Sequence, residues 1–251
     1  MTDSARAYLD QVVPRLQKLT DLAAEGGLEP AVDLLVSALE KGGVIQSFGT
    51  GHSQAFVMEL SGRAGGLIPT SGIYLRDVLT VGDRDRANLT GGELERDPSV
   101  VDDLFAVSTI GPDDVFVIAS NSGVNGSIVG VALEAKRRGH AVIAVTSLEH
   151  TNAVEPKHPS GKRLSEVADV VIDNLAPFGD TTLPVDGGVV VGAVSSITAA
   201  LIAQLLTIGV TERIAATGAT PPVYISANIP GGDEHNRALE DRYRGRIRRS
   251  A

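Results

Sequence analysis

Apolar positions recur at helical spacing from about Ser4 to Ala24, at Leu9, Val12, Val13, Leu16, Leu19 and Leu22, which predicts a first helix. Pro14 should kink or restart it, since proline removes a backbone donor and crowds the preceding turn. A second helix is predicted from about Pro30 to Glu40, opening on a proline, a common first helical residue. The apolar run Val44 to Phe48 then reads as a strand, followed by the turn "GTGHS" and a helix through Glu59. After "RAGGLIPTSG" the pattern weakens, and Thr80 to Pro98 reads as a long irregular excursion of the kind that is usually functional or mobile. Order returns with a strand (Val115 to Ala119), a Ser/Gly turn, a helix to about Arg138 and a strand (Ala141 to Val145). Strands so continuously apolar indicate a parallel sheet covered on both faces. "SLEHTNAVEPKHPSGKRLSEVA" reads as a loop or short helix and "ADVVIDN" as a further strand. A long small-residue helix over about Val189 to Leu206, ending near Gly209, precedes a turn and a terminal helix. No repeat or linker divides the chain. The expectation is one doubly wound α/β domain over 1–251 with a mostly parallel sheet: a helical hairpin (1–42), the α/β core (43–210), and a C-terminal turn and helix (211–251).

Composition narrows the function classes. The 251 residues are 43% hydrophobic, enough for one large core or two small ones. No uninterrupted run of eighteen apolar residues predicts a membrane span, and the N-terminus lacks the basic-then-apolar layout of a secretory signal. There are no cysteines, so disulfide and thiolate chemistry are absent and a cytoplasmic location fits. A net charge of −9 argues against a nucleic-acid surface, which needs a basic footprint. The one basic cluster, Arg242 to Arg249, reads as a solvated helix end. Only 4% of residues are aromatic and none is Trp, so base stacking is poorly supported.

Two short stretches carry the chemistry. In "FGTGHS", Gly49, Gly51, His52 and Ser53 join a strand to a helix; glycines permit positive φ or close ligand approach, and free N–H groups at a helix start attract anions. A helix-capping Ser53 is the simpler reading of that turn alone. "SNSGVNGS" repeats the logic, with Ser120, Ser122, Asn125 and Ser127 as donors above the backbone of Gly123 to Gly126 and Asn121 beside them as a further candidate phosphate contact. Two such turns at carboxyl ends of parallel strands converge at the switch point of a doubly wound sheet. Capping needs one Ser; three hydroxyls and an amide point to phosphate.

Those segments resemble the sugar isomerase (SIS) domain family from about Pro30 to the terminal helix, most closely in "SFGTGHS" and "DVFVIASNSGVNGSIVGVALEAKRRGHAVIAVTS". The resemblance implies a three-layer α/β/α fold, with the phosphate of a sugar held by Ser120, Ser122 and Asn125, the last standing where sedoheptulose 7-phosphate isomerases have Ser. "ELSGR" is similar to those enzymes' glutamate segment, which implies Glu59 as general base, and His235 in "GGDEHN" fits the histidine of the family's terminal helix. It further implies a homodimer or homotetramer with sites near subunit interfaces, one protomer donating His235. Glu59 follows Ser53 by six residues, about four fewer than in the isomerases and in the related N-acetylmuramic acid 6-phosphate etherases, a shift of about 6 Å at the helical rise. The N-terminal hairpin lacks the DNA-binding signature of the family's transcription regulators.

Among candidate groups, Glu59, His235 and His52 remain for acid–base work. His150, Glu155 and His158 lack a metal-ligand spacing, so no metal or cofactor is expected; their loop, with Lys157, Lys162 and Arg163, reads as surface or as a flap over phosphate. His140 reads as a helix C-terminal cap, and Glu93, Glu95 and Asp97 as solvated, though one could supply a second carboxylate. A carboxylate base and an imidazole acid suit removal of the proton α to a sugar carbonyl. The favoured outcome is elimination of water from an N-acetylamino sugar 6-phosphate such as N-acetylglucosamine 6-phosphate, partly because the chain looks like a small SIS subgroup linked to amino-sugar phosphates. Aldose–ketose isomerisation is the alternative. A non-catalytic sugar-phosphate sensor is a third reading, opposed by the presence of Glu59 and His235.

Overall fold

The computed structural model describes residues 2–89 and 92–248. Thr90 and Gly91 of the polar excursion, and Arg249 of the basic cluster, lie outside the described residues.

The apolar stripe of the first segment forms α1 (Thr2–Ala24), continuous through Pro14. The expected break is absent because contacts on both sides of the proline hold the axis: Tyr8, Val12 and Leu16 pack on Ala176 and Val194, and Leu19 enters the main core. The second helix, α2 (Glu29–Glu40), carries its proline at the first turn, as expected. Strands β1 (Ile45–Gly49), β2 (Thr70–Ile73), β3 (Val115–Ala119), β4 (Val142–Thr146) and β5 (Val170–Asp173) form one all-parallel sheet in the order β2-β1-β3-β4-β5. Along β3, Val115, Val117 and Ala119 face one side and Phe116 and Ile118 the other, so both faces are apolar and both need cover. α2, α3 (Gln54–Leu60) and α9 (Ser195–Ala216) cover the first face. α4 (Asp77–Thr80), α6 (Val100–Val107) and α7 (Gly126–Arg137) cover the second. The three-layer α/β/α arrangement is the one expected.

Three stretches depart from the sequence reading. The strand β2 was invisible because it is four residues long, and its Gly72 leaves room for the Tyr74 ring, which would lie 2.7 Å from an added Cβ. The polar excursion is more ordered than its composition suggests. It contains a 3-10 turn, Arg86–Leu89, and α5 (Glu93–Arg96), pinned by Arg84, which donates to Asp97 (2.8 Å), to the Ser99 carbonyl (2.8 Å) and to Asp103. Burial pushes the Asp97 carboxyl up, but bonds from Ser99 and Arg84 bring it below its ordinary value. Finally, Val189–Ala193 is a strand and not the start of the long helix: β6 (Thr181–Val185) and β7 (Val189–Ala193) make an antiparallel hairpin. Its turn uses Gly187 and Gly188 at φ 83° and 76°, conformations open to glycine, and the β-branched valine run favours extended chain. The helix begins six residues later than expected, at Ser195, and runs past Gly209, where an added Cβ would meet Val32 at 2.9 Å.

By length and composition α9 is apolar enough to cross a membrane; it serves instead as the central core helix, packed on α1, α2 and α3. After α8 (Leu148–Ala153), the hairpin and α9, the chain closes with α10 (Gly232–Glu240). The basic tail is also not simply solvated. Arg248 pairs with Asp77, and Arg246 reaches the fully buried carboxylate of Asp114 at 2.6 Å. Asp114 also accepts 2.8 Å bonds from Val44 N, Gln46 Nε2 and Gly111 N, tying the tail to the starts of β1 and β3. Nearby, Gly139 (φ 90°) ends α7, while the His140 ring is buried against Phe116 and bonds the Asp114 carbonyl; the glycine, not the imidazole, is the cap. Asp114→Ala should destabilise the fold by about 3–5 kcal/mol, the usual effect of removing one member of a buried pair, and Arg246→Ala by less, because two backbone N–H groups and one side-chain amide still hydrogen-bond the carboxylate. Urea denaturation of the two variants tests that order.

Candidate functional site

Register builds the site. Gly49 pairs with Ala119, so the two glycine turns leave neighbouring strands side by side, at the point where the chain crosses from β2 back over β1 to β3. Open α/β sheets bind ligands at such a switch point. At Gly49 a Cβ would lie 2.6 Å from the Ser53 carbonyl and 3.2 Å from that of Ala119, so only glycine lets the turn fold back this tightly. Gly51 follows at φ 54°. Ser53 makes no side-chain capping bond at the start of α3, which removes the simpler explanation for its presence. In the second turn Ser120 Oγ accepts from Gly123 N at 3.1 Å and Gly123 sits at φ 63°. Asn125 precedes α7 and donates from Nδ2 to Glu95 at 2.5 Å. Ser127 is spent on structure: it is buried and donates to the Glu95 carbonyl at 2.8 Å.

His52, Ser53, Ser120 and Asn121 line one cleft, with Phe56, Ala119, Val145 and Ala199 as its apolar side. Three further polar residues complete it: Asn174 at the end of β5, and Ser195 and Ser196 opening α9. Asn174 donates to Asn121 Oδ1 at 3.1 Å and accepts from Ala176 N at 3.0 Å, which fixes both amides. Asp180 accepts from Val194 N, Ser195 N and Ser195 Oγ at 3.1, 2.8 and 2.7 Å, clamping the start of a 22-residue helix whose positive end faces the cleft. Sequence reasoning missed Ser195 and Ser196 because it carried the helix back to Val189 and so hid its beginning, although the pair "SS" ahead of the apolar run was an available signal; Asn174 had no local signal and joins the site only through strand order. Gly51, Ser122, Gly123 and Asn125 belong to the turns but not to the cleft walls. The 154–164 loop packs on the second turn through Lys157 N to Val124 O and Leu164 N to Gly123 O.

Glu59 and His235 lie elsewhere. Glu59 is the sixth of the seven residues of α3, at the helix's negative end, because the helix ends at once at Ser61 and Gly62 (φ 76°). Its carboxylate, 24% exposed, pairs with Arg63 and accepts from Gln204 Nε2 of α9 at 2.6 Å. His235 is half-buried on α10 and donates from Nε2 to the Val223 carbonyl at 3.0 Å. The two sit on the same flank, since Tyr224, next to Val223, bonds both Gly65 and Gly66, just after Arg63. Among the described residues no three His, Asp or Glu are grouped to hold a metal. His150 accepts from Gly179 N at 3.1 Å, and His158, whose pKa burial lowers, contacts Ser160.

A family model described as "SIS domain" matches residues 7–147. A UPF0309 protein of Geobacillus sp. (strain WCH70) is 34% identical over 241 residues, covering 96% of each chain. One from Listeria monocytogenes is 36% identical over 242 residues, covering 96% of this chain and 97% of its own. Among solved structures, a phosphoheptose isomerase from Francisella tularensis superposes with a TM-score of 0.53 at 20% identity, covering 84% of this chain and 98% of that one. Phosphoheptose isomerase GmhA from Neisseria gonorrhoeae gives 0.51 at 19%, covering 86% and 98%. At such identities the structures bear on the fold alone. With its glycine turns, sheet order, matched family model and full-length relatives, the chain belongs to the SIS domain family.

Proposed function

We propose that this protein is a phosphosugar-processing enzyme that removes the proton α to a sugar carbonyl, and that its reaction is elimination of water from an N-acetylamino sugar 6-phosphate such as N-acetylglucosamine 6-phosphate. The observation that carries the reading is the meeting of Ser53, Ser120 and the α9 start in one cleft at the sheet's switch point. In this reading phosphate sits against Ser53, Ser120 and Asn121 in the cleft, with Ser122, Asn125 and the backbone of Gly51 and Gly123 reaching it from the adjoining turns. Glu59 lies six residues along α3 from Ser53, about 9 Å at the helical rise, a span on the scale of a hexose phosphate; a sugar lying along α3 presents its carbonyl end to that carboxylate. Glu59 takes the C2 proton of the open-chain aldehyde, and the C2 electrons form the enol. They then expel the C3 hydroxyl, which leaves as water with a proton from His235 or, beside the phosphate turn, His52. The chemistry balances without metal or cofactor.

Isomerisation is the second reading, favoured by the phosphoheptose isomerases that share the fold. The two share their first step and divide on the C2 substituent: a hydroxyl allows proton return to C1, whereas an acetamido group makes loss of the C3 substituent the easier exit. Incubation with hexosamine and ketose phosphates, read by loss of the mass of water and by ultraviolet absorbance, separates them. Tight binding of a sugar phosphate without any turnover would favour the sensor reading over both.

We further propose a cytoplasmic homodimer or homotetramer that binds neither nucleic acid nor membrane. Leu9 and Val13 on α1, Met58 on α3, Ile197 and Ile208 on α9, and Val185 and Val189 to Val191 on the hairpin are all exposed, and burial of such residues against a second copy would remove their apolar surface from water. Met58 adjoins Glu59, so a neighbouring copy on this face would complete the surroundings of the base.

Three outcomes follow from these assignments. Ser120→Ala and Ser122→Ala should raise KM much more than they lower kcat, the signature of lost ground-state binding, whereas Ser127→Ala should lower stability and leave KM near its starting value. Glu59→Gln should lose about 10²–10⁴-fold in kcat, the usual effect of removing a general base, and should stop exchange of the C2 proton with deuterated solvent. If Glu59 only pairs with Arg63, a helix pair of about 0.2–0.5 kcal/mol, exchange will continue at the wild-type rate. Analytical ultracentrifugation should find an oligomer under assay conditions; a fully active monomer would rule out a shared site.

A further inference from the structure

The residue that joins the two phosphate turns is an acid. The backbone of α5 is seated on the first turn of α7: Ser127 donates to the Glu95 carbonyl, and a Cβ on Gly126 would lie 2.2 Å from the Arg96 carbonyl oxygen. From that seat the Glu95 carboxylate accepts from Asn125 Nδ2 at 2.5 Å, and its other oxygen lies 3.6 Å from where a Cβ on Gly51 would stand. It therefore spans the seam between turns that offer hydroxyls, amides, backbone N–H groups and the imidazole of His52. Asn125 Oδ1, at the same seam, is buried without a hydrogen-bond partner, so this amide has unmet bonding capacity beside the carboxylate.

We propose that Glu95 is a specificity residue that makes the site select sugar phosphates over an oxyanion without hydroxyl donors, such as sulfate; the inference rests on the phosphosugar reading above. A carboxylate accepts hydrogen bonds and donates none. A sulfate ion, which has no proton to donate near neutral pH, seated on Asn125 and the Gly51 turn meets that negative charge and offers it nothing in return. A sugar 6-phosphate brings hydroxyls on the carbons next to its phosphate group. These donate to Glu95, replace its bond from Asn125, and release the Asn125 amide to the phosphate oxygens. Bonds of hydroxyls to an ionised acceptor are stronger than neutral ones, so the same charge that repels the bare anion rewards the sugar.

Calorimetric titration of the full chain with sulfate and with N-acetylglucosamine 6-phosphate tests this, in the wild type and in Glu95→Gln, which keeps an oxygen for Asn125 and removes the charge. The wild type should prefer the sugar phosphate. In Glu95→Gln the sulfate should bind more tightly and the sugar phosphate less tightly, so that the ratio of the two Kd values falls about tenfold or more, the scale of one charge-assisted hydrogen bond. Glu95→Asp keeps the charge but withdraws it by one methylene, and should lose sugar affinity without gaining sulfate affinity. Equal changes for both ligands in Glu95→Gln, or none, would overturn the role of Glu95 while leaving the phosphosugar reading intact. A wild type that binds neither ligand would overturn both.

Discussion

The pairing of β1 with β3 is the constraint on which the rest depends. Its register sets Gly49 against Ala119 and thereby fixes where both glycine turns begin. Slide that pairing by one residue and every side chain changes face: Val117 would leave one apolar core for the other, and the turns would no longer emerge level. The register is held at its far end by Asp114, which takes a backbone N–H from β1's approach, an amide from Gln46 within β1, and a guanidinium from the tail. One buried carboxylate below the sheet thus keeps two neutral turns aligned above it.

The cleft walls contain hydroxyls, two linked amides and one imidazole, but no Lys or Arg among the described residues. In a chain of net charge −9, an anion bound as proposed would be held by local dipoles, N–H groups and a helix end that point inward, and not by long-range attraction. The arginines are used instead as fasteners: Arg84 gathers the excursion, Arg246 and Arg248 dock the tail, and Arg163 closes the 154–164 loop onto the Thr151 and Val154 carbonyls.

Legibility from sequence followed the physics of each segment. The βαβ unit from Val115 to Thr146 was readable because its strands are buried on both faces and its turn residues have few other uses. The two glycine turns were readable for the same reason. β2 escaped because four residues around a glycine carry no periodic signal. The hairpin escaped because Val189 to Val191 lead into a helix of equal apolarity, so composition does not mark the change at Ser195. Pro14 misled because tertiary contacts on either side outweighed a local preference. Asn174, Ser195 and Ser196 became visible only when strand order brought β5 and the α9 start to the same end of the sheet.

The hairpin links assembly to this cleft. Two strands alone are marginal in water, and Tyr8 fastens β6–β7 by donating to the Ala193 carbonyl and packing over Gly192. Val185 and Val189 to Val191 on the outer side are about half exposed. At the foot of the hairpin stands Asp180, in a left-handed conformation at φ 67°, whose carboxylate holds both the backbone and the hydroxyl of Ser195. Whatever positions the hairpin therefore positions Asp180, and Asp180 sets the first turn of α9 that forms one wall of the cleft. A partner covering those valines would act on the anion site without touching it, through a single carboxylate and one helix start.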